Sequence, residues 1–262
     1  MKKILDLSKP SNWLKVAEKV AQECFSTHLI STLRSHNHEE MYSDSLSYLT
    51  ENPDEEDCFE TAETLTAEFE EHFLERYDQI RAFHACRPFL GVESYRKNGI
   101  RKASSEIIRE IGHAAFSAHC SREQIDKAID NYEFLRSDNS VYLFTDDWNP
   151  TRDCQNHYLQ SGSEILQALS FELGLGSQGI LAAQASPCLI ECNVPINQVS
   201  LGFRGELLRT LTTIFFKISA GKRTPTRPID FCIRVIEDIA PESIVDIHTL
   251  EDSKLKYTLP RH

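Results

Sequence analysis

No stretch of the chain is apolar and uncharged over the roughly 18 or more residues that a membrane-spanning helix needs. The longest apolar run, 211-LTTIFFKISA-220, is interrupted by Lys217. The amino terminus, MKKILDLSKPSNW, is basic but has no apolar segment of signal-peptide length, which predicts a cytoplasmic protein without a membrane partner. None of the eight cysteines stands in a C-x-x-C pair, so zinc ribbons and thioredoxin-like centres lose their usual signature and the thiols are expected to be reduced. There is no G-x-x-x-x-G-K-[ST], no G-x-S-x-G and no H-E-x-x-H. P-loop, hydrolase and zincin readings therefore fall away, and 174-GLGSQG-179, which has the G-x-G-x-x-G spacing but follows the helical pattern of 161–174 and not a strand, reads as a helix-ending loop. The nearest approach to a metal pattern is Cys154-x-x-His157 followed by Cys188-x-x-x-Cys192. Those ligand types suit zinc, but cysteine is also a small buried hydrophobe, and no metal is expected.

Basic residues are missing from one long segment. Residues 35–75 hold no Lys or Arg but fourteen Asp or Glu, while the formal net charge of the 262 residues is −12. The acidity thus belongs to one segment, either a solvated face or a partner-binding surface, and the remainder stays nearly neutral. A chain of this length can bury a sizeable core.

Apolar spacing gives the elements. Trp13, Val16, Ala17, Val20 and Cys24 mark a helix after Pro10 and Ser11, and Leu65, Phe69, Phe73, Tyr77 and Ile80 mark a second one. Residues 35–60 read as a connection. From about residue 81 the texture becomes mixed. Strand-like runs at 81–85, 140–145, 187–196, 229–237 and 244–250 alternate unevenly with helical patterns: Ile107/Ile111/Ala115, Ile125/Ala128/Ile129/Tyr132 behind a Ser121–Gln124 capping box, 161–174, and Leu207 to Ile218. The expectation is a helical, acidic extension over 1–80 and an α+β domain over 81–262, with mixed small sheets and flanking helices.

The densest polar cluster is 82-AFHACRPFLGVESYRKNGI-100. In order along the chain come a strand with His84, a helix-turn with Tyr95 and Gly99–Ile100, a strand with Tyr142, a helix start with Glu164, and 190-IECNVPINQV-199. Over about residues 81–250 this order resembles the ADP-ribosyltransferase superfamily, in the His-Tyr-Glu branch shared by diphtheria-toxin-like enzymes and poly-ADP-ribose polymerases. The resemblance implies an ADP-ribosyltransferase-like fold and an enzyme that cleaves NAD as its substrate, transferring ADP-ribose to a protein, nucleic acid or small molecule. It suggests a toxin or defence effector.

By the same resemblance Glu164, His84 and Tyr142 are the catalytic set, and His84, Arg87, Tyr95 and Tyr142 bind NAD. Breaking the nicotinamide bond builds positive charge on the ribose, so a nearby carboxylate stabilises the transition state more than the ground state. An imidazole suits a ribose hydroxyl, a phenol ring stacks on nicotinamide, and the planar fork of Arg87 suits a pyrophosphate oxygen. Each residue also has a purely structural alternative. His84 can be an interior histidine, Tyr142 can be core packing in VYLF, and Glu164 fits a Ser161-x-x-Glu164 capping box, with Glu191 as the substitute acid. The Cys86–His84 pair raises a thiol nucleophile. The alternative function is a non-catalytic interaction protein on a degenerate form of the fold, docking a protein partner through 35–75.

Overall fold

The computed structural model describes residues 3–27, 30–31, 67–131, 140–152, 157–176, 179–202, 204, 232–252 and 255. The expected helix from Leu207 to Ile218, Tyr132, Cys154 and most of the acidic segment lie outside these residues. The chain divides into two units, one taking in Met1–Ile80 and Pro195–Phe231, the other Arg81–Val194 and Cys232–His262.

In the first unit, α1 (Pro10–Cys24) starts with proline in its first turn, where the missing N–H costs nothing. It buries Trp13, Ala17, Val20 and Ala21 along one face. Residues 67–74 are helical, and their Phe69 stacks on Phe25 at 5.5 Å and on Phe73 at 6.1 Å. The helix ends there: Glu75 and Arg76 form a turn, so Tyr77 follows the helix and Ile80 belongs to a strand. The three-to-four spacing of apolar residues thus runs on past the helix itself. Strand β1 (Ile4–Leu5) pairs in parallel with Gln79 and Ile80, the first residues of β2 (Gln79–Cys86).

The second unit is α+β. Its strands, with β3 (Val141–Phe144), β4 (Cys188–Pro195), β5 (Cys232–Val235) and β6 (Ile244–Thr249), lie in the order β5-β3-β2-β4-β6. The β2/β3, β3/β5 and β4/β6 pairs are antiparallel. Pairing of β3 with β5 runs through four residues, from Val141↔Val235 to Phe144↔Cys232, whereas β2 and β3 register only at Phe83↔Phe144 among the described residues. Beyond that pair the two strands are not laddered.

Between β2 and β3 lie α2 (Val92–Asn98), α3 (Ser105–Phe116) and α4 (Arg122–Asn131). Ser104 caps α3 by accepting from the Ile107 N–H at 3.3 Å. The capping box of α4 is present in both directions: Gln124 Oε1 accepts from Ser121 N at 2.9 Å, and Ser121 Oγ from Gln124 N at 3.3 Å. Gly112 allows the two helices close approach, since a Cβ there would sit 3.3 Å from Ile129 Cδ1. After β3 come α5 (Trp148–Arg152), α6 (His157–Ser161), α7 (Glu164–Glu172) and α8 (Gly179–Gln184). Gly174 and Gly176, at φ 71° and 73°, turn the chain out of α7. Among the described residues no helix is long and apolar enough to cross a membrane.

Candidate active site

A cavity of about 610 Å³ opens within the second unit, inside the range of roughly 300–1,000 Å³ usual for small-molecule sites. His84, Arg87, Tyr95, Tyr142 and Glu164 all line it. One wall is apolar, with Phe89, Ile107, Ile111 and Leu166. Ile107 and Ile111 are only half-buried although they belong to the apolar stripe of α3, because that stripe continues from the core into the cavity.

His84 lies where β2 and β3 cease to pair. Its Nδ1 is 3.3 Å from the Tyr142 carbonyl. A carbonyl only accepts, so Nδ1 carries the hydrogen and the neutral ring keeps Nε2 as an acceptor. Burial lowers the pKa of His84 from its ordinary value, against a smaller opposing effect of the Tyr142 bond. In the unfolded chain the imidazole titrates near about 6.5. Below that pH the unfolded state holds more protons, so the contribution of His84 to stability falls as pH drops from about 6.5 toward the lowered folded value. The ring proton of His84, assigned by its loss in His84→Asn, is expected to titrate with an NMR midpoint below 6.5; a midpoint above it would reverse this assignment.

Tyr142 is not core packing. In β3 it is 40% exposed while Val141, Leu143 and Phe144 are buried, and it lines the cavity. Tyr95 sits beside His84, ring centroids 6.4 Å apart and tilted by 54°. Burial first, and then the nearby Cys86 thiol, hold its phenol pKa well above the ordinary value. Burial also pushes the Cys86 thiol up to about 12. A thiol protonated at neutral pH is not the nucleophile that the Cys86–His84 pair suggested.

Arg87 requires a correction. Its side chain is fully buried, Nη1 donates to the carbonyls of Ala182 (2.8 Å) and Ala185, and Nη2 pairs with Asp252. The fork expected to grip a pyrophosphate is engaged at the carboxyl end of α8 instead. Arg101, which sequence reasoning passed over, is the other arginine of the lining, held by Glu110 at 2.9 Å. Its signal was its place directly after Gly99–Ile100.

The capping-box reading of Glu164 is also corrected. Ser161 is fully buried and its hydroxyl donates to the His157 carbonyl at 3.2 Å. Ser163 is the N-cap, accepting from Leu166 N at 3.4 Å. The shift of two positions moves Glu164 from the third helical residue to the first, so its carboxylate does not reach back to the backbone. Its Oε1 lies 3.4 Å from the Tyr158 hydroxyl and 3.5 Å from His157 Nε2. Glu164 is the carboxylate among the described lining residues. The substitute, Glu191, is 14% exposed and tied to Arg81 at 2.9 Å and His248 at 3.7 Å, and it does not line the cavity.

Tyr158 and His157 are further polar residues of the lining, neither of them expected at this site. In the sequence His157 is marked only by the Cys154-x-x-His157 spacing, and Tyr158 only by its position before the Gly162 turn, in HYLQSGSE. Among the described residues no three of His, Cys, Asp and Glu gather as metal ligands, and Cys188 and Cys192 are buried thiols raised in pKa by that burial, Cys192 to about 12. Comparison with family models, curated proteins and solved structures finds no match.

Proposed function

We propose that the second unit is an NAD-cleaving catalytic unit with an ADP-ribosyltransferase-like fold, which releases nicotinamide and passes ADP-ribose to water or to an acceptor. The observation that carries this reading is that His84 of β2, Tyr142 of β3 and Glu164 of α7 border one cavity, although they are widely separated along the chain. The three supply complementary chemistry. Nε2 of a neutral His84 accepts from a ribose hydroxyl. The exposed ring of Tyr142 offers a face to the nicotinamide. Glu164 places negative charge where the sugar becomes cationic as the C1′–N bond breaks. The apolar wall suits a flat ring, and Arg101 takes over the phosphate role first given to Arg87. The toxin or defence setting and the acceptor class, whether protein, nucleic acid or small molecule, rest on the resemblance alone.

The test is incubation of the intact protein with NAD carrying separate labels on nicotinamide and on adenosine. Free labelled nicotinamide is the expected product, and the adenosine label identifies water, protein or RNA as the acceptor. No nicotinamide release with any acceptor would favour the alternative, a non-catalytic interaction protein.

A further inference from the structure

We propose that His157 and Tyr158 are positioning residues that hold one oxygen of Glu164, Oε1, and so present the other, Oε2, to the ribose. The assignment rests on the NAD-cleaving reading and adds to it the means by which an exposed carboxylate keeps one orientation.

Glu164 is the first residue of α7 and its side chain is 72% exposed. A glutamate so placed, with no neighbour, samples many rotamers, and a catalytic charge that wanders stabilises no particular point on a sugar. Here both contacts fall on the same oxygen. The Tyr158 hydroxyl approaches Oε1 at 3.4 Å and His157 Nε2 at 3.5 Å, and Oε2 has no partner among the described residues. Both distances are longer than those of ordinary hydrogen bonds; the Tyr158 hydroxyl forms a long hydrogen bond, whereas His157 Nε2 lies at ion-pair distance from Oε1 without hydrogen-bonding it, and contacts of this kind tighten when substrate displaces water.

The two holders are themselves fixed. Leu159, between them and the turn, is fully buried. The Ser161 hydroxyl and the Gly162 N–H close the turn on the carbonyls of His157 (3.2 Å) and Tyr158 (3.0 Å). Gly162 has φ +78°, and a Cβ there would press on Phe89 at 3.2 Å, so the corner joining α6 to α7 admits little variation. The Tyr158 ring packs edge-on against Phe144 at 6.0 Å and against the His157 ring at 4.0 Å. Burial first, and then the charge of Glu164, keep the Tyr158 phenol protonated and able to donate. The result is a rigid corner with one aimed hydroxyl, a neighbouring imidazole and one carboxylate, lining the same cavity as Tyr142.

The experiment measures nicotinamide release from NAD by the intact protein, by Tyr158→Phe, by His157→Gln, and by Tyr158→Phe in a Glu164→Gln background. Tyr158→Phe keeps the ring packing and removes only the donor. Its kcat is expected to fall about tenfold, with KM within about twofold and an unchanged melting temperature. His157→Gln is expected to behave alike. In the Glu164→Gln background the tyrosine change should cost less than about twofold more, because groups acting through one carboxylate are not additive. A full rate in Tyr158→Phe, or a tenfold loss repeated in the Glu164→Gln background, would overturn the assignment while leaving NAD cleavage standing. No cleavage by the unmodified protein would overturn the NAD reading, and this assignment with it.

Discussion

Glu164→Gln is expected to reduce nicotinamide release from NAD by about 10²- to 10³-fold, the loss that follows removal of a group aimed at charge developing in a transition state. The amide keeps the size of the side chain and can still accept from the Tyr158 hydroxyl, which lies 3.4 Å from Oε1. What disappears is the negative charge. Binding of NAD in the ground state, where the ribose is not yet cationic, should change by less than about threefold, so the loss falls on kcat rather than KM. Glu191→Gln serves as the comparison. Its carboxylate is already paired with Arg81 at 2.9 Å and does not line the cavity, so its removal should leave the rate within about twofold once any loss of stability is allowed for. Initial rates at saturating NAD settle the matter, and a Glu164→Gln protein as fast as its parent would show that this carboxylate carries no part of the chemistry.

Gly99→Ala is expected to damage the fold of the second unit and the cavity together. Gly99 has φ +72° and ψ −161°, a conformation open essentially to glycine alone, and any other residue there costs about 1–3 kcal/mol from the backbone. Space is the larger obstacle. A Cβ on Gly99 would lie 1.9 Å from the Ile239 carbonyl oxygen, so backbone must move. The same oxygen accepts from Ile100 N at 2.9 Å, and Ile239 N donates back to the Ile100 carbonyl at 2.9 Å. Both bonds are at risk when the two segments of this isolated bridge separate. Because Gly99, Ile100 and Arg101 border the cavity, loss of this bridge should also weaken ligand binding. Thermal unfolding is expected to shift down by about 5–10 °C; an unchanged midpoint would mean that the turn relaxes at no cost, contrary to the contact described.

Much of this was legible from residue type and spacing, and the failures share a cause. Strand positions followed from β-branched and aromatic runs, and β3, β4 and β6 fall within the segments those runs marked. The Ser121–Gln124 box was readable because both partners are local. Local reading failed where the deciding partner is distant. Arg87 looked available for phosphate because Ala182, Ala185 and Asp252, its actual partners, lie about a hundred residues or more further along. Ser161 and Ser163 are both plausible caps for the same helix, and burial of Ser161 by tertiary packing decided between them. Tyr158 carries no pattern of its own, and His157 only the Cys154-x-x-His157 spacing, which pointed to different chemistry. They gain meaning only from the corner that brings them to Glu164. The exposure of Tyr142 likewise depends on where β2 and β3 stop pairing, which an apolar run such as VYLF does not record.

The claim on which these statements rest is that His84 and Tyr142 contact one and the same ligand. It is tested most directly by the dissociation constant of NAD, measured by titration calorimetry for the intact protein and for His84→Ala, Tyr142→Ala and Glu191→Ala, each checked for an unaltered melting temperature. Loss of a ring that stacks on a base is worth about 1–3 kcal/mol and loss of a hydrogen bond about 0.5–1.5 kcal/mol. The account predicts binding weakened about tenfold or more in Tyr142→Ala, several-fold in His84→Ala, and not at all in Glu191→Ala. Equal affinity in all four proteins, or no binding to the intact one, would contradict it.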